Sequence, residues 1–299
     1  MLAKYGLIQL LGKFLPGMIG FLVAAVLTRF LSPDEYGIYG LATAVAQFAA
    51  LSAFGWLGLS VTRLATGRAV DPRFESSVLA VFGAIAFIAA ACGAVSCLLP
   101  VGANYVQVAN AAVFGSIVFA YFDLKSSFYT AAFDFVSVLV FNITRAAASA
   151  AVALVVVYYG GGGLAVFIAY CATMLAVCLL FRRKRSGLGA LSVDLQVVKR
   201  ICAFGLPIAG SLILFAISGW TDRIVLNGLS GAAAVGFYTA AMIIIQNTLQ
   251  MAATAIASAA YPLAVVAYDS GDRFASDRQL EQNFVALFGF LLPGATGLC

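Results

Sequence analysis

The sequence contains no histidine, and charged residues make up 10% of its 299 residues. A soluble domain carries roughly 25% charged residues, so this composition excludes an ordinary soluble protein. The absence of histidine removes the usual general base and the usual transition-metal ligand. We therefore predict no metal site, no cofactor and no catalytic residue.

The cysteines provide no redox motif. No two of them form a CxxC pair, and each lies in or beside an apolar segment. We interpret them as small apolar residues in the reduced form. They are Cys92, Cys97, Cys171, Cys178, Cys202 and Cys299.

Long apolar runs dominate the chain. Each is long enough to cross a hydrocarbon core of about 30 Å as a helix. We predict an all-α transmembrane bundle, because lipid cannot satisfy backbone polar groups and the runs are too long for barrel strands. The predicted spans are Leu7–Leu31, Gly37–Leu59, Val78–Leu99, Val108–Tyr129, Phe135–Tyr159, Leu164–Phe181, Phe204–Leu226, Gly236–Pro262 and the start of a ninth from Phe284.

The loop charges alternate along the chain and predict its orientation. Gaps after odd-numbered spans contain no lysine or arginine, whereas the N-terminus and the other gaps hold twelve, including the "RRKR" run 182–185. The positive-inside rule places the N-terminus and this run in the cytoplasm. The net charge of +5 therefore reflects topology, and we expect no nucleic-acid partner.

A short turn motif occurs twice, in "LSPDEYGIY" and in "LSGAAAVGFY". Each copy follows a span with a proline near its inner end, Pro16 in the first span and Pro207 in the seventh. Because six spans separate the copies, we predict a parallel repeat about an axis along the membrane normal, with the substrate path between two lobes. The matched positions are Leu31, Ser32, Gly37 and Tyr39 against Leu229, Ser230, Gly236 and Tyr238.

Two segments resemble a known family. "RFLSPDEYGIYGLATAVAQFAALSAFGWLGLSVTRLA" (Arg29–Ala65) is similar to the opening hairpin of the polysaccharide transporters, and "FGLPIAGSLILFAISGWTDRIVLNGLSGAAAVGFYTAA" (Phe204–Ala241) is similar to the start of their second lobe. These are the O-antigen and exopolysaccharide flippases of the multidrug/oligosaccharidyl-lipid/polysaccharide exporter superfamily. The resemblance implies a two-lobe exporter fold and an undecaprenyl-pyrophosphate-linked oligosaccharide as substrate, moved by alternating access in the bacterial cytoplasmic membrane.

The resemblance also implies a domain organisation. We expect a six-helix N-terminal lobe at residues 1–185, a basic cytoplasmic linker at 186–203, and the start of a second lobe at 204–299. The ninth apolar segment reaches Cys299 without a polar flank. We therefore expect the second lobe to be incomplete, with about three helices and a truncated ninth helix.

Several charges lie within the predicted spans. Each costs about 2.5–3.5 kcal/mol at the bilayer centre, so such residues tend to face partners or wet cavities. Arg145 lies about 15 Å into its span and is our first cavity candidate, followed by Lys13, then Arg29 and Arg223 with Asp222. Arg29 and Lys125 could instead extend to the membrane surfaces. The set comprises the cations Lys13, Arg29, Lys125, Arg145 and Arg223 and the carboxylates Asp123 and Asp222.

Five cations against two carboxylates favour an anionic substrate, because lysine and arginine both suit phosphate oxygens. We predict a flippase that is not an enzyme, with the lipid-linked oligosaccharide and membrane lipid as partners; a complex with a polysaccharide polymerase stays open. One alternative is a cation-coupled drug or metabolite exporter. A membrane glycosyl- or acyl-transfer enzyme is disfavoured, because the outer gaps are short and carry no charges besides Asp34 and Glu35.

Overall fold

A computed structural model describes residues 2–65, 71–97, 102–181 and 193–245, together with isolated positions between 278 and 289. Within these residues the chain is helical, with helices joined by short turns. The helices are α1 (Leu2–Phe30), α2 (Pro33–Ala65), α3 (Pro72–Ser96), α4 (Ala103–Ala131), α5 (Phe135–Tyr158), α6 (Gly163–Leu180) and α7 (Leu195–Ile245).

The predicted membrane bundle is confirmed. Six helices, α2 to α7, are long and apolar enough to span a membrane, and α1 has a shorter apolar stretch, Phe14–Phe30, among the described residues. Helices α1 to α6 correspond in order to the first six predicted spans, and α7 covers the seventh and the start of the eighth. Each apolar run forms a helix because it must satisfy its own backbone polar groups in lipid. The remainder of the predicted eighth span beyond Ile245 lies outside the described residues.

Helix α7 begins at Leu195, within the segment 186–203 that we predict to be a cytoplasmic linker, and it continues through the predicted seventh span. Ile201 is fully buried while Lys199 and Arg200 are exposed, so this part of the linker is an amphipathic extension of the seventh span. Further along, Gly231 has φ 80° and ψ 178° and interrupts the helix. This break lies in the predicted turn between spans seven and eight, and glycine adopts such a φ at little cost.

Helix α2 lies at the centre of the bundle and packs on α4, α6 and α7. Its buried small residues Ala42, Ala46 and Ala50 let neighbouring backbones approach closely, as is typical of membrane helices. Nearby, the rings of Phe122 and Phe141 stack with centroids 4.2 Å apart. The core of the described bundle therefore combines small residues on α2 with stacked aromatic residues on α4 and α5.

The two turn motifs found in the sequence contact each other. A Cβ atom at Gly37 would overlap the carbonyl oxygen of Ala232, and a Cβ atom at Gly236 would overlap that of Pro33. Each glycine lies four residues after the residue that the other glycine contacts, since Pro33 precedes Gly37 and Ala232 precedes Gly236 by that spacing, so the contact is reciprocal. The repeated hairpins thus meet backbone to backbone through equivalent residues.

Charged side chains cap both ends of α6. At the end of the bundle that carries the α1–α2 turn, the α5–α6 turn and Gly231, here called the hairpin end, the Glu35 carboxylate accepts a hydrogen bond from the Gly163 backbone N–H. At the opposite end, Lys125 Nζ donates to the carbonyl oxygens of Cys178 and Phe181, at 2.9 Å in the latter case. A cation at a helix C-terminus complements its dipole, so Lys125 stabilises the bundle.

Candidate functional site

A cavity of about 250 Å³ lies between α1, α2, α5, α6 and α7. On α2 its lining runs from Tyr36 to Gln47, which places the cavity in the half of the bundle nearer the hairpin end. Two predicted site residues, Arg145 and Arg223, line it. The other polar lining residues are Tyr36, Tyr39, Thr43, Gln47, Ser149, Tyr170 and Thr239.

Arg145 lies on α5 about 15 Å from the start of the helix, near the middle of the bilayer. Its Nη1 donates to the Tyr170 hydroxyl at 2.6 Å, and its guanidinium carbon lies 5.1 Å from the centre of the Phe122 ring. Its Nε is buried without a hydrogen-bond partner. The guanidinium is therefore held by α4 and α6 while keeping a donor unused.

Two hydroxyl groups accompany Arg145. Tyr170 accepts the hydrogen bond from Arg145, so its own proton is free to donate elsewhere. The ring of Phe119 contacts Tyr170 edge-on, with centroids 5.8 Å apart, and fixes its position. Ser149 follows Arg145 by one helical turn on the same face of α5, and its hydroxyl is buried without a partner. Arg145, Ser149 and Tyr170 form what we call the α5–α6 cluster.

Arg223 lies at a second position in the same cavity. It is 5% exposed, and its Nε is buried without a partner. Tyr36 and Thr239, which also line the cavity, have buried hydroxyl groups without partners. Arg223, Tyr36 and Thr239 form what we call the α2–α7 cluster.

Asp222 is exposed and does not line the cavity. Its carboxylate accepts hydrogen bonds from the Tyr238 hydroxyl and, at 2.8 Å, from the backbone N–H of Arg223. Adjacent residues on a helix diverge by about 100°, which explains why Asp222 and Arg223 point in different directions. Asp222 is therefore a hydrogen-bond acceptor for Tyr238 and contributes no charge to the lining.

The remaining predicted site residues lie elsewhere. Arg29 is exposed near the end of α1 and is not part of the lining. Lys13 belongs to α1, one turn before Pro16, and its side chain lies outside the described residues. Of the five predicted cavity residues, the structure thus brings Arg145 and Arg223 to one cavity.

Sequence reasoning missed the hydroxyl groups. Tyr36, Ser149, Tyr170 and Thr239 carry no signal individually, because tyrosine and serine are common in membrane helices. The one available clue was the four-residue spacing of Ser149 from Arg145, which places both on one helix face. The other three depend on how α2, α6 and α7 are rotated within the bundle.

The electrostatic character of the cavity is clear. Its lining includes two arginines and no aspartate or glutamate among the described residues. A buried polar group without a hydrogen bond costs about 1–3 kcal/mol, more if charged. Five such groups facing one cavity indicate a site that is completed by water or by an acceptor-rich, anionic ligand. In the described part of the chain, no group of histidine, cysteine, aspartate and glutamate could hold a metal ion.

Solved structures define the class of fold. The MATE multidrug transporter DinF-BH in complex with R6G has a TM-score of 0.67 and 16% identity, over 99% of this chain and 71% of that one. An inward-facing multidrug resistance MATE family transporter of the MOP superfamily has a TM-score of 0.59 and 16% identity, over 96% of this chain and 69% of that one. The chain therefore has the fold of the MATE transporters.

The sequence comparison identifies the family. The model of the family described as "Polysaccharide biosynthesis protein" matches residues 26–299. The chain belongs to this family, which confirms the resemblance noted in the sequence. No curated protein matches the chain.

Proposed function

We propose that this protein is a flippase that moves an undecaprenyl-pyrophosphate-linked oligosaccharide across the bacterial cytoplasmic membrane for polysaccharide synthesis. The observation that carries the proposal is the α5–α6 cluster, an arginine near the bilayer middle with an unused donor and two hydroxyl groups beside it. Membership in a polysaccharide biosynthesis family with an exporter fold supports it.

A diphosphate is the group for which such a cavity is suited. The charge of the diphosphate is costly to bury in the hydrocarbon core, whereas the isoprenoid tail is apolar and dissolves in it. Arginine donates through a planar fork that matches phosphate oxygens, and the Ser149 and Tyr170 hydroxyls add neutral donors. We infer that the diphosphate enters the cavity while the lipid tail stays in the bilayer between helices.

The cavity size bears on the sugar. A volume of about 250 Å³ is slightly below the usual range for a small-molecule pocket and too small for an oligosaccharide. We infer that the sugar occupies space that opens when the first six helices and the helices from α7 onward move apart. This is the expected alternating access between lobes at 1–185 and 204–299, with α7 now extending back to Leu195.

The loop charges support the orientation that we propose for the chain. Arg63, Arg73, Lys199 and Arg200 are exposed at the end of the bundle opposite the hairpins. The positive-inside rule assigns that end and the N-terminus to the cytoplasm. Transport would then run toward the hairpin end.

A cation-coupled drug exporter is less well supported. The neighbouring solved structures are multidrug transporters, but at 16% identity they establish the fold and no more. A cationic drug would be repelled by Arg145 and Arg223, and no carboxylate lines the described cavity to offset them. An enzyme is also less well supported, because the described lining carries no histidine, lysine, aspartate or glutamate to act as a general base.

Replacement of Arg145 tests the proposal. Arg145→Ala removes a charge-assisted donor, and we expect a roughly 10- to 100-fold loss of surface polysaccharide in a strain that lacks its own flippase. Arg145→Lys keeps the charge without the fork and is expected to be intermediate. Arg63→Ala, an exposed arginine on α2, is the matched control and is expected to complement fully. Membrane levels of each variant are compared by immunoblot.

Full complementation by Arg145→Ala at equal membrane levels would remove the cavity from the mechanism. A second measurement separates the flippase from the drug exporter. In nanodiscs, the unmodified chain is expected to bind undecaprenyl diphosphate in preference to rhodamine 6G. The opposite preference would favour the exporter.

A further inference from the structure

We propose that the α2–α7 cluster is a second anion subsite, separate from the α5–α6 cluster, which takes the diphosphate as it moves toward the hairpin end. This inference rests on the proposed function, because it assigns a second position to the same substrate group. Nothing in the sequence grouped Arg223 with Tyr36 and Thr239.

Burial is the first observation that supports this subsite. Arg223, Tyr36 and Thr239 are 5%, 2% and 3% exposed, and all three line the cavity. The Arg223 Nε, the Tyr36 hydroxyl and the Thr239 hydroxyl each lack a hydrogen-bond partner. Three buried donors that face one cavity require an acceptor, and phosphate oxygens provide several at once.

Charge is the second observation. The nearby carboxylate of Asp222 is exposed and already accepts hydrogen bonds from Tyr238 and the Arg223 backbone N–H. No carboxylate lines the described part of the cavity, so Asp222 attracts Arg223 only from outside the lining. Its positive charge is therefore available to a ligand in the cavity.

The two clusters share a chemical composition. Each has one arginine, one tyrosine and one small hydroxyl residue, with Ser149 in the first and Thr239 in the second. Tyr39, which also lines the cavity, lies beside Tyr36, with ring centroids 5.9 Å apart. Because the two clusters offer the same kinds of hydrogen-bond donor, each is suited to bind the diphosphate, one after the other, during transport.

The clusters differ in the elements that build them. The α5–α6 cluster lies entirely within the first six helices. The α2–α7 cluster joins α2 to both segments of α7, because Arg223 precedes the break at Gly231 and Thr239 follows it. A movement of α7 against α2 would open the second subsite while leaving the first intact.

Trp220 provides a built-in reporter for the second subsite. It precedes Arg223 by three residues, and its Nε1 donates to the side-chain oxygen of Gln47 at 3.0 Å. Gln47 lines the cavity. The chain has two tryptophans, so Trp56→Phe leaves Trp220 as the single tryptophan.

The test uses the Trp56→Phe chain in nanodiscs, titrated with farnesyl diphosphate and followed by Trp220 fluorescence. Arg223→Ala is expected to weaken binding roughly 10-fold or more, and Tyr36→Phe and Thr239→Val by a few-fold each. Arg145→Ala is expected to weaken the total binding that calorimetry detects while a Trp220 response to the diphosphate persists, because Arg145 belongs to the other cluster. Arg63→Ala is the control. Calorimetry on the chain with Trp56 intact repeats the comparison in case Trp56→Phe disturbs the core.

A parallel titration identifies the source of the anion. Farnesyl diphosphate is expected to bind more tightly than inorganic pyrophosphate. Equal binding of pyrophosphate would keep the subsite but assign it to a free anion. Unchanged binding in Arg223→Ala, or loss of the Trp220 response in Arg145→Ala, would overturn the second subsite.

The two proposals can fail separately. If the lipid-linked oligosaccharide is not transported but Trp220 still reports Arg223-dependent binding, the proposed function fails and the subsite stands. If surface polysaccharide depends on Arg145 but diphosphate binding does not depend on Arg223, the subsite fails and the function stands.

Discussion

Arg145 illustrates what a single residue can reveal from sequence. Its depth follows from counting residues along an apolar run, and a charge at that depth needs a partner or a cavity. The structure supplies both, through Tyr170 and Phe122 on one side and the cavity on the other. The partners could not be predicted, because they lie on other helices whose rotation the sequence does not specify.

Lys125 shows a different outcome for a charge closer to the inner end of its helix. The sequence predicts that it extends to the inner membrane surface, but its ammonium group binds the last carbonyl groups of α6, where the Tyr129 hydroxyl also donates to Phe181 at 3.3 Å. Backbone carbonyls at a helix end attract cations as carboxylates do. Counting charges in the membrane therefore overstates the number that face a substrate.

Lys125→Met should lower stability without a specific effect on substrate binding. The change leaves the C-terminal carbonyls of α6 without a charged donor, at a cost of about 1–3 kcal/mol. Thermal unfolding in nanodiscs measures this, with the exposed Lys199→Met as the control. Unchanged stability with lost diphosphate binding would instead place Lys125 on the substrate path.

At the scale of helices, the repeated turn motif indicates a symmetric relation between two hairpins. Two copies separated by six spans imply a twofold relation, and residues near such an axis can contact their own equivalents. The backbone contact between Gly37 and Gly236 is of this kind. It also closes the hairpin end beside the α2–α7 cluster, since Gly40 lies against Thr239.

Gly37→Ala and Gly236→Ala should each separate the two hairpins. Either methyl group would overlap a carbonyl oxygen of the other hairpin, and such overpacking costs about 1–3 kcal/mol. Hydrogen exchange is expected to rise in 33–39 and 232–238 together in both variants, because the contact is shared. The double variant should cost less than the sum of the single ones.

Gly210→Ala is the matched control, since nothing lies within 4 Å of the added methyl group. It should be neutral or slightly stabilising, because alanine favours a helix over glycine. Additive effects of Gly37→Ala and Gly236→Ala, or exchange confined to the mutated hairpin, would show that the two hairpins are independent.

Helix α7 begins before the predicted seventh span for a physical reason. Hydropathy marks where a helix enters lipid, and Lys199 and Arg200 lowered the apolar signal before Phe204. Helices do not have to end at the membrane surface, and Ile201 buries its side chain against the bundle. Run length therefore predicts the existence of a membrane helix better than its ends.

For the whole molecule, the fold was predictable and the site was partly so. A long apolar run can satisfy its backbone polar groups in lipid only as a helix. The loop charges predict which side of the membrane each turn faces. The cavity requires five helices to be packed and rotated correctly, which is why the tyrosines and hydroxyls that line it were missed. Arg145 and Arg223 were found because a buried charge is costly wherever it lies.

Transport by the reconstituted chain tests the central claim most directly. Proteoliposomes would carry a fluorescent lipid diphosphate sugar, with its arrival in the opposite leaflet followed by a membrane-impermeant quencher. We expect the unmodified chain to move this substrate, and Arg145→Ala and Arg223→Ala to slow it roughly 10-fold or more at equal protein levels. If both variants move the substrate at the unmodified rate, the arginine-lined cavity does not carry the diphosphate.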